Sequence, residues 1–355
     1  MSIDPSSASP LSRRQFLQRS FAFSASSLLA TGCGGSIHSA ASSATTDSVV
    51  GGEAHFLMVG DWGEAGEPND QGRVAYAMQQ YVKRWNIETD ALLMLGDNFY
   101  GSLHGGSASM RFQTQFESMY PESVFDCPAL VVPGNHDYEI SPMAKYPAEL
   151  QYAANNVTRW TMPAQSYRRV FPETNPIVTF LALDSNMPNE PAQPLPTGHF
   201  YTMTDAQRLA QLEWLESELQ APLTTPHLVV IGHHPLFSNG PHGDNHTLIR
   251  DWGPLFQQYN VALYLAGHDH DLQHLEIEGQ STSFVMSGGG GAALYPLNSS
   301  KADRGPYAAE LFGFTHLQIK PDELIVRHLN TDGKLLHKFT RDLSGKVTIA
   351  SQGAA

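Results

Sequence analysis

The sequence predicts an α/β domain whose strands and helices are stacked in layers, followed by a meander of strands. Two observations point there. Between residues 54 and 265, short apolar runs alternate with longer amphipathic segments. After Asp271 the helical periodicity stops, and strand-like segments follow one another across turns. A third observation concerns chemistry: five apolar runs end in a glycine and then in Asp, Asn or His.

The elements follow in order. Residues 55–60 (HFLMVG) read as a buried strand. Residues 71–85 read as a helix, with Val74, Met78, Tyr81, Val82 and Trp85 at spacings that share one face. Residues 91–95 form a strand, 109–119 a helix, 129–132 a strand stopped by Pro133-Gly134, and 177–183 a strand that reaches Asp184. Thr204 is the expected N-cap of a helix that turns Leu209, Leu212, Leu215 and Leu219 inward. Residues 227–231 and 261–265 are strands, with a helix over 247–259 between them. The late strands are 272–278, 283–286, 314–320, 323–329 and 335–341, with a hairpin loop at Asn330-Thr331-Asp332-Gly333. Residues 188–197 are a Pro-rich surface loop, and 344–355 a loose tail. One domain is expected over 53–343, after a Ser, Ala and Thr-rich linker over 34–52.

The chain has 355 residues and a formal net charge of -14. That balance disfavours nucleic acid, whose affinity comes largely from cationic contacts to phosphate. An anionic substrate needs a strongly positive local site, which a bound metal can supply. The start of the chain reads as an address. Ser12-Arg13-Arg14-Gln15-Phe16-Leu17 has the form of a twin-arginine export signal. The apolar stretch 21–30 behind it is too short to span a bilayer. Small residues before Cys33 suggest a lipoprotein cleavage site ending the signal at 1–33, with simple peptidase cleavage near Ser39-Ala40 as the alternative. Cys127 is then the cysteine left to the domain, expected as a small buried hydrophobe.

The five clusters are Gly60-Asp61-Trp62-Gly63, Gly96-Asp97-Asn98-Phe99-Tyr100, Gly134-Asn135-His136-Asp137, Gly232-His233-His234-Pro235 and Gly267-His268-Asp269-His270. In an open α/β sheet, strand C-termini converge on one edge, where ligands bind. Together these ends offer carboxylates, a phenol, an amide and imidazoles, a donor set that suits a pair of hard-to-borderline metal ions. A single Gly-Asp or a single His would be a turn or a satisfied side chain; five in order are not independent turns.

At these residues the chain resembles the purple acid phosphatases of the small, animal-like (tartrate-resistant) type, within the metallophosphoesterase superfamily. "GDWG", "GDNFY", "GNHDY", "VVIGHHP", "AGHDHDLQHL" and "SGGGG" carry the resemblance, with support from "RFQTQFESMY" and "FGFTHLQI". It spans residues 56–341 and implies a four-layer α-β-β-α sandwich with two mixed sheets. The wider superfamily opens with Asp-x-His; here Gly63 takes the place of that histidine, and Tyr100 is expected to fill the vacated coordination position. The resemblance implies that Asp61, Asp97, Tyr100 and His270 hold Fe(III). It implies that Asp97, Asn135, His233 and His268 hold a divalent ion (Fe, Zn or Mn), with Asp97 bridging.

The implied activity is an acid phosphatase's: in-line attack on a phosphomonoester by a hydroxide on the metal pair. By the same resemblance His136 lies beside the phosphate and His242 acts as general acid. His104, His234 and His246 are read as solvated loop histidines, and Asp137 and Asp269 as carboxylates that orient ligand histidines. The stretch Tyr138-Glu139-Ile140-Ser141 departs from the family's continuation. Rival readings are a phosphodiesterase or nucleotide hydrolase on the same metals, and a non-catalytic envelope metal-binding protein. The expected partners are small phosphate-ester substrates and no nucleic acid, for a monomer in the periplasm or cell envelope whose membrane contact is only through a lipid on Cys33.

Overall fold

A strand whose successive side chains are all apolar has to be covered on both faces. The central strands here are of that kind. The structure is a computed structural model that describes residues 52–350 except 65, 67–68, 140–144, 156–157, 188–201 and 299–303. Strand β1 (Ala54–Val59) is followed by α1 (Asp70–Trp85), β2 (Ala91–Met94), β3 (Ala129–Val131), α2 (Lys145–Asn155) and β4 (Trp160–Thr161). Next come β5 (Tyr167–Phe171), β6 (Val178–Ala182), α3 (Asp205–Gln220), β7 (His227–Ile231), α4 (His246–Asp251), α5 (Gly253–Gln258) and β8 (Leu263–Ala266). The chain ends through β9 (Leu272–Leu275), β10 (Ser283–Ser287), β11 (Tyr307–Ala309), β12 (Gly313–Ile319), β13 (Glu323–Asn330), β14 (Leu335–Asp342) and β15 (Val347–Ile349).

These strands form two mixed sheets, in the orders β15-β14-β13-β12-β1-β2-β3-β4 and β11-β9-β10-β8-β7-β6-β5. In the first, β1 runs parallel to β2 and antiparallel to β12, with Phe56 opposite Ala91 and Leu317. In the second, β6, β7, β8 and β10 run parallel. Phe56, Met58, Leu93 and Leu95 meet Phe180, Val229, Leu265 and Val285 between the sheets. Leu57, Val59, Leu92 and Met94 point the other way, against Val74, Met78 and Tyr81 of α1. Val230, Tyr264 and Met286 pack on Leu215 and Leu219 of α3 and Phe256 of α5. Helix, sheet, sheet and helix make the four layers. Each large side chain buried in them contributes about 1.5–3 kcal/mol.

Helix ends follow local chemistry. Asn69 caps α1 by accepting from the Gly72 N–H (2.8 Å), and Asn86 closes it in the left-handed region at φ 49. Thr204 and Gln207 form a capping box at the start of α3.

The structure corrects several expectations. Trp85 and Leu209 are exposed, at 61% and 50%. Residues 112–117 of the expected helix over 109–119 are wound as a π-helix. The helix expected over 247–259 is two, α4 and α5, because Gly253-Pro254 starts a new one. The tail over 344–355 is not all loose: β15 pairs with β14, Phe339 opposite Ile349. Cys127 is buried as expected, and burial pushes its thiol up to about 12. The signal and linker (1–33 and most of 34–52, with Cys33) and the Pro-rich loop lie outside the described residues. Among the described residues, no helix is long and apolar enough to cross a membrane.

Candidate metal centre

The site is built where the C-terminal ends of β1, β2 and β3 in one sheet meet those of β7 and β8 in the other. Three of these strands, β1, β2 and β8, turn sharply as they end. Asp61 (φ 58), Asp97 (φ 51) and His268 (φ 72) all adopt the left-handed region. For residues other than glycine this costs roughly 1–2 kcal/mol each, and such strain gathers at functional sites. Here it swings the side chains inward.

Two glycines let the loops close. A Cβ on Gly63 would lie 2.1 Å from the Asn98 carbonyl oxygen, so the Tyr100 loop occupies the space of any side chain there. The contact is sealed by the Gly63 N–H donating to Asp97 O (3.2 Å) and the Tyr100 N–H donating to Gly63 O (3.1 Å). A Cβ on Gly134 would lie 2.2 Å from Asp97 Oδ1.

The seven residues expected as ligands come together in two groups that share Asp97. In the first, Tyr100 Oη lies 3.3 Å from Asp61 Oδ1 and 3.1 Å from His270 Nε2. His270 Nε2 is 3.5 Å from Asp61 Oδ1. In the second, Asn135 Oδ1 lies 3.0 Å from His233 Nε2 and 2.9 Å from His268 Nδ1, which are 3.2 Å apart. Asp97 Oδ1 is 3.5 Å from His233 Nε2.

The tautomers decide what these groups can do. His233 Nδ1 donates to Leu95 O (2.8 Å), which leaves a lone pair on Nε2 when the ring is neutral. With the His268 proton on Nε2, lone pairs of the Asn135 amide oxygen and of two imidazoles converge on one point, which is a cation's environment. Burial and then the neighbouring His234 and His242 push His268 well below the usual imidazole range, which keeps it neutral and able to ligate. His270 Nδ1 donates to Ala293 O (2.5 Å), the arrangement of a ligating histidine. Burial alone would lower His270, but the hydrogen bond and charge of Asp61 raise it to about 9. Without a cation, a proton takes the cation's place between them. Burial would raise Asp97, yet His233 and His136 hold its carboxyl below the usual range. Burial, then Asp97 and Asp61, push the Tyr100 phenol well up, so only a strongly acidic cation could ionise it. The residues present therefore fit two metal ions.

Around this set, the His136 ring lies tilted against Tyr100 (ring centroids 4.4 Å) and its Nε2 is 4.0 Å from Asp97 Oδ2. His242 lies 4.1 Å from His268 by ring centroids and donates from Nδ1 to Asp269 Oδ1 (2.6 Å). Tyr295 stacks on His270 at 4.0 Å. Arg304 pairs with Asp244 (2.8 Å) and donates to the Ser238 carbonyl, bracing the loop that carries His242.

Three expectations change. Asp137 orients no ligand histidine: it accepts from the backbone N–H groups of Asn98 (3.0 Å), Phe99 (3.0 Å) and Gly134 (2.8 Å). Asp269 orients His242, together with the Ser238 hydroxyl. His104 and His246 are exposed, but His234 is half-buried against His268 (ring centroids 4.3 Å).

Sequence reasoning also missed Glu139 and Lys145. Glu139 Oε1 lies 2.9 Å from His136 Nδ1, and its Oε2 accepts from Lys145 Nζ at 2.8 Å. Lys145 is fully buried and also donates to the carbonyls on either side of Tyr100, Phe99 (2.5 Å) and Gly101 (2.9 Å). The charge of Glu139 at this departure from the family's pattern was the available signal.

Comparison with known proteins agrees with the geometry. The calcineurin-like phosphoesterase family model matches residues 54–272. Tartrate-resistant acid phosphatase type 5 of Mus musculus is 32% identical over 307 residues, covering 80% of this chain and 88% of its own. Among solved structures, GAP50, the anchor in the inner membrane complex of Plasmodium, superposes with a TM-score of 0.67 at 19% identity, over 85% of this chain and 90% of that one. The purple acid phosphatase PPD1 of yellow lupin seeds gives a TM-score of 0.58 at 17% identity, over 82% of this chain and 54% of that one. The two structures bear on the fold alone. On the family model and the sequence relatives, the chain belongs to the calcineurin-like metallophosphoesterases, on their tartrate-resistant purple acid phosphatase branch.

Proposed function

We propose that this protein is an acid phosphatase that hydrolyses phosphomonoesters at a two-metal centre. One observation carries the reading: Tyr100 stands beside Asp61 and His270, and its loop fills the space that a side chain on Gly63 would need. Asp61, Asp97, Tyr100 and His270 would hold Fe(III). Asp97, Asn135, His233 and His268 would hold a divalent Fe, Zn or Mn. Such a pair supplies charge that polarises phosphoryl oxygens and lowers the pKa of water.

The chain's own residues do the rest. The phosphate sits against His136, whose ring is fixed by Glu139 and by its tilted contact with the Tyr100 ring. Water's oxygen forms the new bond to phosphorus as the ester P–O bond opposite breaks. Asp269 holds the proton of His242 on Nδ1, so Nε2 is the nitrogen that exchanges a proton with substrate. As imidazolium, His242 gives that proton to the departing alkoxide.

The test is kinetic. N135A and H233A in the metal-loaded protein should each lose turnover of an aryl phosphate monoester. Unchanged turnover in either contradicts the centre. Faster hydrolysis of a bis-aryl phosphate than of the monoester would make the protein a phosphodiesterase instead. The protein is also proposed to be a monomer exported by the twin-arginine route to the periplasm or cell envelope. That route carries folded proteins, so the metals could be loaded before export. Cell fractionation that finds the mature protein only in the cytosol contradicts it, and mass spectrometry of the mature N-terminus decides whether Cys33 carries lipid.

A further inference from the structure

His233, His234 and His268 present ring nitrogens within 4.8 Å of one another, which resembles a third place for a metal ion. The hydrogen bonds of Ser185 argue against a metal and for something else. Ser185 is fully buried just beyond β6. Its Oγ accepts from the backbone N–H of His233 (3.1 Å) and of His234 (2.8 Å). A serine oxygen has two lone pairs and one proton. Both lone pairs are used, so the proton goes to its third neighbour, His234 Nδ1, at 2.8 Å. His234 Nδ1 is therefore an acceptor, and the neutral ring carries its own proton on Nε2.

Neither nitrogen is then a metal ligand: Nδ1 is taken by Ser185, and Nε2 bears hydrogen. Nε2 has no hydrogen-bond partner among the described residues. The ring is only half-buried, next to the fully buried His233, and its face lies against His268. An N–H donor at the mouth of a cationic centre recognises an oxyanion. A lysine or arginine here would be repelled by the metal ions; a neutral imidazole is not.

His242, on the other neighbouring position of His268, has the opposite tautomer, because the Asp269 carboxylate can only accept. His242 can donate to substrate from Nε2 only after taking up a second proton, whereas neutral His234 donates from Nε2 without one.

We propose that His234 donates its Nε2–H to an oxygen of the phosphate group at this centre, as a substrate contact set by Ser185. This rests on the phosphatase reading. The test has two arms. In metal-free protein, long-range 1H–15N correlation of the His234 ring should place the proton on Nε2, and S185A should remove that preference. A proton on Nδ1 in the wild type overturns the proposal. In metal-loaded protein, H234F should raise both KM and the inhibition constant of inorganic phosphate by roughly tenfold, more than it changes kcat, with metal content unchanged. H234Q, whose amide reaches the Nε2 position, should restore much of the loss; H234N should not. Loss of a metal in H234F makes His234 a ligand and overturns the proposal, as does an unchanged inhibition constant. A loaded wild type that neither turns over esters nor binds phosphate brings down the phosphatase reading and this contact with it. Turnover and phosphate binding in the loaded wild type, with an inhibition constant that H234F leaves unchanged, bring down the contact alone.

Discussion

Replacing Lys145 with methionine tests the clamp behind the centre. The substitution keeps the apolar stem and removes an ammonium that is fully buried. Three acceptors lose their donor: the Phe99 and Gly101 carbonyls and Glu139 Oε2. Removing one partner of a buried ion pair costs about 3–5 kcal/mol, because the other charge is left without compensation. The unfolding entropy is about 2.1 cal/mol/K per residue. Over a domain of about 300 residues, 3–5 kcal/mol therefore lowers Tm by roughly 5–8 °C. The assay is a thermal melt of metal-loaded protein. E139Q should recover part of the loss in the double variant, since it neutralises the stranded carboxylate, and a coupling of about 0.5–3 kcal/mol is expected. A K145M melt within about 1 °C of the wild type would refute the reasoning, because it would mean the ammonium is not compensating these groups.

Two other outcomes are expected. G63A should destabilise the protein by about 1–3 kcal/mol, the cost of overpacking, since its Cβ would meet the Asn98–Phe99 backbone rather than a movable side chain; a chemical denaturation midpoint equal to the wild type's contradicts this. Metal uptake should release the proton that His270 holds up to about pH 9, so uptake should tighten between pH 6.5 and 9. The sign for the metal-free fold is the reverse. A histidine raised above its unfolded value stabilises below about pH 6.5, and this is lost as pH rises through about 9. Calorimetry of loading at pH 7.5 in buffers of different ionisation enthalpy checks the proton release.

The layered α/β core was legible because buried parallel strands read as continuous apolar runs that stop at glycine. The same continuity hid the layers: Phe56 and Leu57 look alike in sequence but face different cores. Short or edge strands were missed for a related reason. β4 has two residues, and β5 carries Arg168 and Arg169 at its centre, where an edge strand tolerates them. Trp85 is in phase with the buried Met78, Tyr81 and Val82 but is the last residue of its helix, and Leu209 lies off the face that carries Gln211, Leu215 and Leu219. The donors at five strand ends could be read because each sits a fixed step from its glycine. The groups that set their protons could not. Ser185 reaches His234 from another strand's end, and Lys145 reaches the Tyr100 loop across 44–46 positions. Only the folded chain brings these together.

The central claim is that the Tyr100 phenolate completes the coordination of a ferric ion. The most direct measurement is metal analysis with a visible spectrum of the purified protein and of Y100F. The account predicts about two metals per chain, a broad iron–phenolate band in the wild type, and loss of that band in Y100F. A colourless wild type with full ferric content, or a Y100F protein that keeps the band, would contradict it.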